Sequence, residues 1–327
     1  MACSGWRQGP NQRLDDPTLV AAARSVGRCA VTNFDYPGPG AGPDATRTVT
    51  CDMAFLVSEP AEVVVQAVAS SSAGLVVDER FEVLTSGEPP SSLAELRDPE
   101  GATMHIIHSE PGRLTVSYRA RIRVGAEGSP ERRRVHATAG AEGRRSSDYE
   151  RQVYLRPSRY CPSDHLIGFA VAEFGAGPDT GERIAAITEW IRQRIEYVPG
   201  SGTVHDSAEH TLLTGVGTCR DFAHLGVALC RATGVPARFA AVYAPGLFPM
   251  DFHAVFEAFE EGRWCVHDPT GLAPRPSLVR IATGRDAADT AFAAVTSGIA
   301  DLERLEVSAI AGPSLPMDDH SRIVELA

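Results

Sequence analysis

The chain of 327 residues contains no lysine, so all 31 of its basic residues are arginine. It therefore has no lysine nucleophile, no Schiff-base lysine and no phosphate-binding P-loop lysine. It also lacks any apolar run approaching the ~20 residues that a membrane-spanning helix requires. Acidic residues number 42, which gives a formal net charge of −11. Because nucleic acids and anionic membranes attract clustered positive charge, we expect neither as a partner.

Cysteines are few and show no metal-binding spacing. There are seven, an odd number, and no two have the C-x-x-C spacing of a zinc site. Neither an H-E-x-x-H helix nor an EF-hand loop is present, so we expect no metal and no other cofactor. The first residues lack the apolar stretch of a secretory signal. These features favour a cytoplasmic protein whose cysteines are reduced.

Turn residues and hydrophobic periodicity divide the chain into five segments. Residues 1–46 are rich in Gly, Pro and Asp, which is typical of a flexible extension. Residues 47–125 contain short alternating runs and predict an antiparallel, sandwich-like β domain. Residues 126–149 are polar and predict a linker or hairpin. Residues 150–275 combine helical periodicity with three later strands, and 276–327 form a C-terminal segment. The predicted fold class is α+β.

One cysteine occupies a special local position, in Gly217-Thr218-Cys219-Arg220-Asp221. Thr218 is a favourable helix N-cap, and Asp221 three residues later completes a capping-box pattern. Cys219 would then be the first residue of a helix, where free N–H groups and the positive end of the helix dipole favour a thiolate. A small buried hydrophobe is the alternative interpretation. Cys230, on the same helix, is expected to be ordinary core.

A thiolate nucleophile needs a base, and the base needs an orienting group. The turn Glu260-Glu261-Gly262 predicts a β-hairpin in which Phe259 opposes Arg263 or Trp264, depending on loop length. Counting down the ladder places His253 within one or two residues of Asp268. The hairpin therefore predicts a histidine and a carboxylate side by side at its open end.

Four segments of the chain, around Cys219, Arg238, His253 and Asp268, resemble those of the transglutaminase-like superfamily. More narrowly, they resemble those of its bacterial members of the cysteine-protease type. The resemblance implies a papain- or transglutaminase-like domain over 150–275, often preceded by a β-rich domain. It implies Cys219 as catalytic cysteine, His253 as histidine and Asp268 as aspartate, at spacings of 34 and 15 residues. Phe256 departs from the pattern, since many relatives have Trp near this position. The matching segments are Gly217-Thr-Cys-Arg-Asp-Phe-Ala-His224, Gly234-Val-Pro-Ala-Arg238, Phe252-His-Ala-Val-Phe-Glu257 and His267-Asp-Pro-Thr270.

Other candidate groups are less specific. The backbone N–H of Cys219 is one oxyanion donor expected from helix geometry. Tyr197 is a candidate side-chain donor, although a plain core tyrosine is an equal alternative. His224 lies about 1.4 turns beyond Cys219, so its side chain is expected to point away from the thiol. This spacing predicts a structural role for His224. A metal site of Cys265, His267 and His253 is conceivable but has no ligand-pair motif to support it.

The sequence thus predicts a cysteine-dependent acyl-transfer enzyme that hydrolyses an amide or peptide bond through a thioester. One alternative is a transglutaminase or amide synthase, which would transfer the acyl group to an amine. A second is a non-catalytic interaction scaffold. The expected substrate is a peptide, a protein or a small amide, and the sequence gives neither its identity nor the oligomeric state.

Overall fold

The computed structural model describes residues 45–124, 148–175, 179–320 and 322–326. Nearly all of the predicted N-terminal extension and of the predicted linker lies outside these ranges, and Thr46, predicted as part of the extension, begins the first strand. Within them, no helix combines the length and apolar character that a membrane crossing needs.

A six-stranded antiparallel sheet contains the strands predicted between residues 47 and 125. Alternate residues of its central strand are buried from Val49 to Val57, so one face of the sheet forms a core. The strands are β1 (Thr46–Val65), β2 (Leu75–Thr85), β3 (Ser92–Arg97), β4 (Thr103–Ser109), β5 (Gly112–Arg123) and, from far down the chain, β12 (Ala293–Gly312). Their order is β2-β5-β1-β4-β3, and β12 pairs with the other edge of β1.

A second, four-stranded antiparallel sheet has the order β10-β9-β8-β11. Its strands are β8 (Ala237–Tyr243), β9 (Phe252–Glu260), β10 (Arg263–His267) and β11 (Val279–Gly284). The first three match the three strands predicted from the sequence. β11 and β12 come from the C-terminal segment, for which the sequence predicts no helix or strand. β11 joins the second sheet, and β12 joins the first. Two short strands, β6 (Glu196–Tyr197) and β7 (Val216–Gly217), pair in parallel.

Four helices pack against the second sheet or against one another. They are α1 (Ile167–Phe174), α2 (Thr180–Arg194), α3 (Ala208–Thr214) and α4 (Cys219–Ala232). Ile184, Ile187 and Ile191 of α2 are buried, as their helical spacing predicts. Every residue of α4 is buried, because this helix lies between the sheet and the other helices. Helices followed by antiparallel strands confirm the predicted α+β class.

The two sheets share a hydrophobic core. Tyr243 and Phe252, from the second sheet, belong to the same buried cluster as the inner faces of β1 and β5. The Tyr243 hydroxyl donates to the carbonyl of Ala67 at 2.6 Å, and Arg238 contacts Glu100 at 3.0 Å. The Tyr243 bond therefore fixes the first sheet against the end of the second sheet where Phe252 and His253 lie, and the Arg238 contact joins the two at the opposite end, beside Glu257.

Candidate active site

His253 and Asp268 are joined by a buried hydrogen bond. His253 is the second residue of β9, and Asp268 directly follows β10. The hairpin register pairs Phe259 with Trp264, the second of the two predicted registers. The distance from His253 Nε2 to Asp268 Oδ2 is 2.9 Å, and each residue is 1% exposed. The hairpin thus brings together the two residues that its spacing predicts.

Asp268 is held as a carboxylate. Its second oxygen, Oδ1, accepts from the backbone N–H of Thr270 at 2.9 Å and from the Thr270 hydroxyl at 2.6 Å. Burial alone would raise the pKa of Asp268, but the attraction and hydrogen bond of His253, aided by Thr270, hold it below its usual value. An ionised carboxylate only accepts hydrogen bonds, so the His253 proton that it receives is assigned to Nε2. Nδ1 is then the nitrogen suited to exchange a proton with a thiol.

Cys219 is the first residue of α4, as the capping pattern predicts. Asp221 Oδ2 accepts from the backbone N–H of Thr218 at 2.9 Å and from its hydroxyl at 2.8 Å. These bonds fix the start of the helix, whose first-turn N–H groups have no preceding turn to donate to. Cys219 itself is 0% exposed. The N-terminal end of the helix dipole favours a thiolate at this position, whereas burial opposes it.

A loop spanning 199–207 is fastened over the start of α4. The Arg220 guanidinium donates to Asp221 Oδ1 at 2.9 Å and to the carbonyl of Thr203. The Tyr160 hydroxyl donates to the carbonyl of Val204 at 2.8 Å. Gly202 lies so close to the helix that a Cβ there would be 2.7 Å from Asp221 Oδ2. Because Cys219 is fully covered, a substrate can reach its sulfur only if neighbouring chain moves.

Tyr197 lies beside the segment that leads into Cys219. It pairs with Gly217 across the short parallel strands β6 and β7. Its ring is half-buried and meets Phe222 of α4 edge-on, with centroids 5.9 Å apart. This position agrees with both predicted roles, an oxyanion donor and a packing tyrosine, so its role as a donor stays a prediction.

Other residues singled out in the sequence have structural surroundings. Cys230 is 0% exposed in the core, and burial raises the pKa of its thiol. His224 is also fully buried; its Nε2 accepts from the backbone N–H of Ala287 at 3.1 Å, and burial lowers its pKa. His267 bonds Glu260 at 3.1 Å. Within the described ranges, no three His, Cys, Asp or Glu side chains are grouped so as to hold a metal ion.

Two polar residues that no sequence motif marks lie beside His253. A small cavity lined by His253 and Arg220 is also lined by Gln66, from the end of the first sheet, and by Thr290, between β11 and β12. Both are distant from the catalytic motifs in sequence. No local pattern marks them, because their position depends on how the two sheets dock.

Comparison with known proteins identifies the family of this chain. The family model of the transglutaminase-like superfamily matches residues 170–269. A solved structure described as "Putative Cysteine Protease from Cytophaga hutchinsonii" is 32% identical, with a TM-score of 0.71, and the match covers 84% of this chain and 93% of that chain.

A second match is to an uncharacterised protein, ML0607, of Mycobacterium leprae. It is 28% identical over 149 residues, or 42% of this chain, and the match spans about half (52%) of that relative's length. The periplasmic domain of TgpA from Pseudomonas aeruginosa is 18% identical with a TM-score of only 0.35, over 66% of this chain and 91% of that domain. The extent and identity of the Cytophaga match, with the family model, show that the chain belongs to the transglutaminase-like superfamily.

Proposed function

We propose that this protein hydrolyses an amide or peptide bond by cysteine-dependent acyl transfer. Cys219 is the nucleophile, His253 the general base and acid, and Asp268 the residue that orients His253. The observation that carries the proposal is the buried His253–Asp268 hydrogen bond in a domain whose central helix begins at a cysteine. Membership of the superfamily supports cysteine-based acyl transfer in general.

The first half of the reaction is acylation of the thiol. His253 Nδ1 takes the Cys219 proton, and the Sγ thiolate attacks the carbonyl carbon of the substrate amide. The negative charge that develops on the carbonyl oxygen is stabilised by the Cys219 backbone N–H, with the Tyr197 hydroxyl as the proposed second donor. His253 then gives its proton to the leaving amine as the C–N bond breaks, and a thioester remains. Asp268 stabilises the imidazolium throughout.

The second half regenerates the thiol. Water attacks the thioester carbonyl while His253 accepts its proton, the C–S bond breaks, and the free acid leaves. Transfer to an amine would differ only in the attacking group, which makes transamidation the competing outcome. The chain carries no lysine, so it cannot crosslink to copies of itself through lysine side chains. Its net negative charge attracts cationic chains, an effect that salt screens.

None of the five cysteines in the described part of the chain forms a disulfide bond. A thiol nucleophile works only while it is reduced, and free thiols persist in reducing compartments. We therefore propose a cytoplasmic location and a peptide, protein or small amide as substrate. The cysteines are Cys51, Cys161, Cys219, Cys230 and Cys265.

The test supplies a labelled acyl-donor peptide library to wild-type protein and to Cys219→Ala, with cadaverine at millimolar concentration. Mass spectrometry measures the trapped thioester, the free acid and the amine adduct. We expect a thioester on Cys219 and free acid as the main product. An excess of amine adduct over free acid would show that the main reaction is transamidation and not hydrolysis. Absence of any Cys219-dependent product would favour the non-catalytic scaffold.

A further inference from the structure

A small, partly open space lies between the two sheets beside His253. Its volume is about 30 Å³, and a water molecule needs ~10–15 Å³, so two or three waters fit. The wall is formed largely by apolar side chains, including Phe239, Phe252 and Phe292. A space of this size holds water, the smallest acceptor of an acyl group.

Two polar side chains reach this apolar space without a protein partner. Gln66 is 7% exposed, and its backbone N–H donates to the carbonyl of Phe292 at 2.9 Å, which fixes its position. Its carboxamide makes no hydrogen bond to another residue among those described. Thr290 is 4% exposed, and its Oγ1 has no hydrogen-bond partner in the described part of the chain.

An unpartnered buried hydroxyl is unfavourable for folding, because it loses water without gaining a protein partner. Valine has nearly the same shape as threonine and would avoid this loss at position 290. A water held between Oγ1 and the Gln66 carboxamide satisfies both groups, and such a water needs two to four polar partners. His253 lines the same space and can supply the next contact.

We propose that this cavity binds the water that deacylates the enzyme, with Gln66 and Thr290 as its positioning residues. The proposal rests on the acyl-transfer function proposed above. The water oxygen forms a bond to the thioester carbonyl carbon, its proton passes to His253, and the carbon–sulfur bond breaks to release the acid and the Cys219 thiolate. The first sheet thereby becomes part of the active site, because it supplies Gln66.

The test separates the two halves of the reaction with p-nitrophenyl acetate as the acyl donor. Acylation releases p-nitrophenol in a rapid burst, and deacylation sets the following steady rate. The variants are Thr290→Val and Gln66→Leu, which remove the polar groups. Thr290→Ser keeps the hydroxyl. Thr103→Val is the matched control, because Thr103 is a threonine of the first sheet that is 5% exposed and does not line the cavity. Cys219→Ala gives the background rate.

We expect Thr290→Val and Gln66→Leu to keep the burst and to lower the steady rate by about tenfold each, as loss of one hydrogen bond predicts. KM should fall in parallel, since acetyl-enzyme accumulates. With added cadaverine, the ratio of free acid to amide should fall as well. Thr290→Ser and Thr103→Val should retain the wild-type steady rate. Thr290→Val should unfold at or above the wild-type midpoint.

Three results would overturn the proposed water site, and only one of them would also overturn the proposed acyl-transfer function. A burst with unchanged steady rates in Thr290→Val and Gln66→Leu excludes the water site but leaves the acyl-transfer function intact. Equal loss of burst rate and steady rate shows that the two residues support the fold or acylation instead. A wild-type protein without any Cys219-dependent burst removes the proposed function and this inference together.

Discussion

Gly226 of α4 and Phe256 of β9 are in such close contact that no side chain fits between them. A Cβ at Gly226 would lie 2.4 Å from Phe256 Cε1 and 2.5 Å from Cδ1. Gly226 is two helical turns beyond Cys219, and Phe256 is three residues beyond His253 on the same strand. This contact therefore sets how closely the helix that begins at Cys219 approaches the strand that carries His253.

Gly226→Ala should separate α4 from β9. Both elements are buried, and forcing a methyl group into a filled core costs about 1–3 kcal/mol of unfolding free energy. A shift of this kind also misplaces the thiol relative to His253, and positioning errors near 1 Å cost roughly 10²-fold in rate. The measurements are urea unfolding and the rate of acyl-enzyme formation. Phe256→Leu in the same protein should recover part of the lost rate by making room for the methyl group. No recovery would mean that this contact does not set the helix position.

Cys219 and Cys230 are matched probes, because both lie on α4 and are 0% exposed. Replacing either by Ala should lower the unfolding free energy by about 1 kcal/mol through lost packing. Only Cys219→Ala should abolish turnover. Full activity in both variants would show that the nucleophile lies elsewhere.

Alkylation should distinguish the same thiols in the wild-type protein. Burial raises the pKa of Cys161 to about 12 and also raises the pKa values of Cys51, Cys230 and Cys265. These four remain protonated at pH 7 and should react slowly with iodoacetamide. Peptide mapping by mass spectrometry should find Cys219 as the first of the five to be labelled. Earlier labelling of any of the other four would contradict the thiolate assignment.

The features of the site that the sequence predicts are the local ones. Thr218 and Asp221 are three residues apart and define the start of α4 by themselves. The turn at Glu260-Glu261-Gly262 brings His253 toward Asp268 through short-range pairing. Local patterns of this kind depend on backbone geometry, so a sequence can reveal them.

The features that the sequence does not predict depend on long-range docking. Gln66 and His253 meet only because β1 and β9 belong to sheets packed on each other, and 187 residues separate them. β12 pairs along β1 from the far end of the chain. Periodicity indicates that each strand exists but not which strand it joins. The position of the 199–207 loop beside the start of α4 depends likewise on contacts that Arg220 and Tyr160 make across the fold.

Asp268→Asn should impair catalysis by changing which nitrogen of His253 carries the proton. The amide would present an N–H donor to Nε2, where the carboxylate accepts, so that the proton would move to Nδ1. His253 then cannot take the thiol proton. We expect kcat to fall on the order of 10³–10⁴-fold, with a larger loss for His253→Ala. Single-turnover acylation rates measure both. Thr270→Val, which removes only the hydroxyl bond to Asp268, is the milder control. An unchanged rate in Asp268→Asn would contradict the triad.

A buried ionic cluster connects the catalytic sheet to the first sheet. Glu257 accepts from Arg238 Nε at 2.8 Å and from Arg280 Nη1 at 2.7 Å. Arg238 also contacts Glu100 at 3.0 Å. Burial alone would raise the pKa of Glu257, but the two arginines outweigh it and lower this pKa to about 2. Glu257 lies on β9, four residues beyond His253, so the cluster supports the strand that carries His253.

The lowered pKa of Glu257 predicts how stability depends on pH. A carboxyl group with a depressed folded-state pKa contributes stability above its unfolded value, near 4.5, and loses it as pH falls through the folded value. The unfolding free energy of the wild type should therefore decrease from pH 5 toward pH 2. Glu257→Gln takes the carboxylate away from buried Arg280 and leaves Arg238 with Glu100 and Glu150, so it should cost about 3–5 kcal/mol at pH 7. It should also flatten the acid dependence. Glu261→Gln, at an exposed position in the adjoining turn, should change neither. Urea unfolding at several pH values makes the comparison, and an equally steep acid loss in Glu257→Gln would assign that loss to other carboxylates.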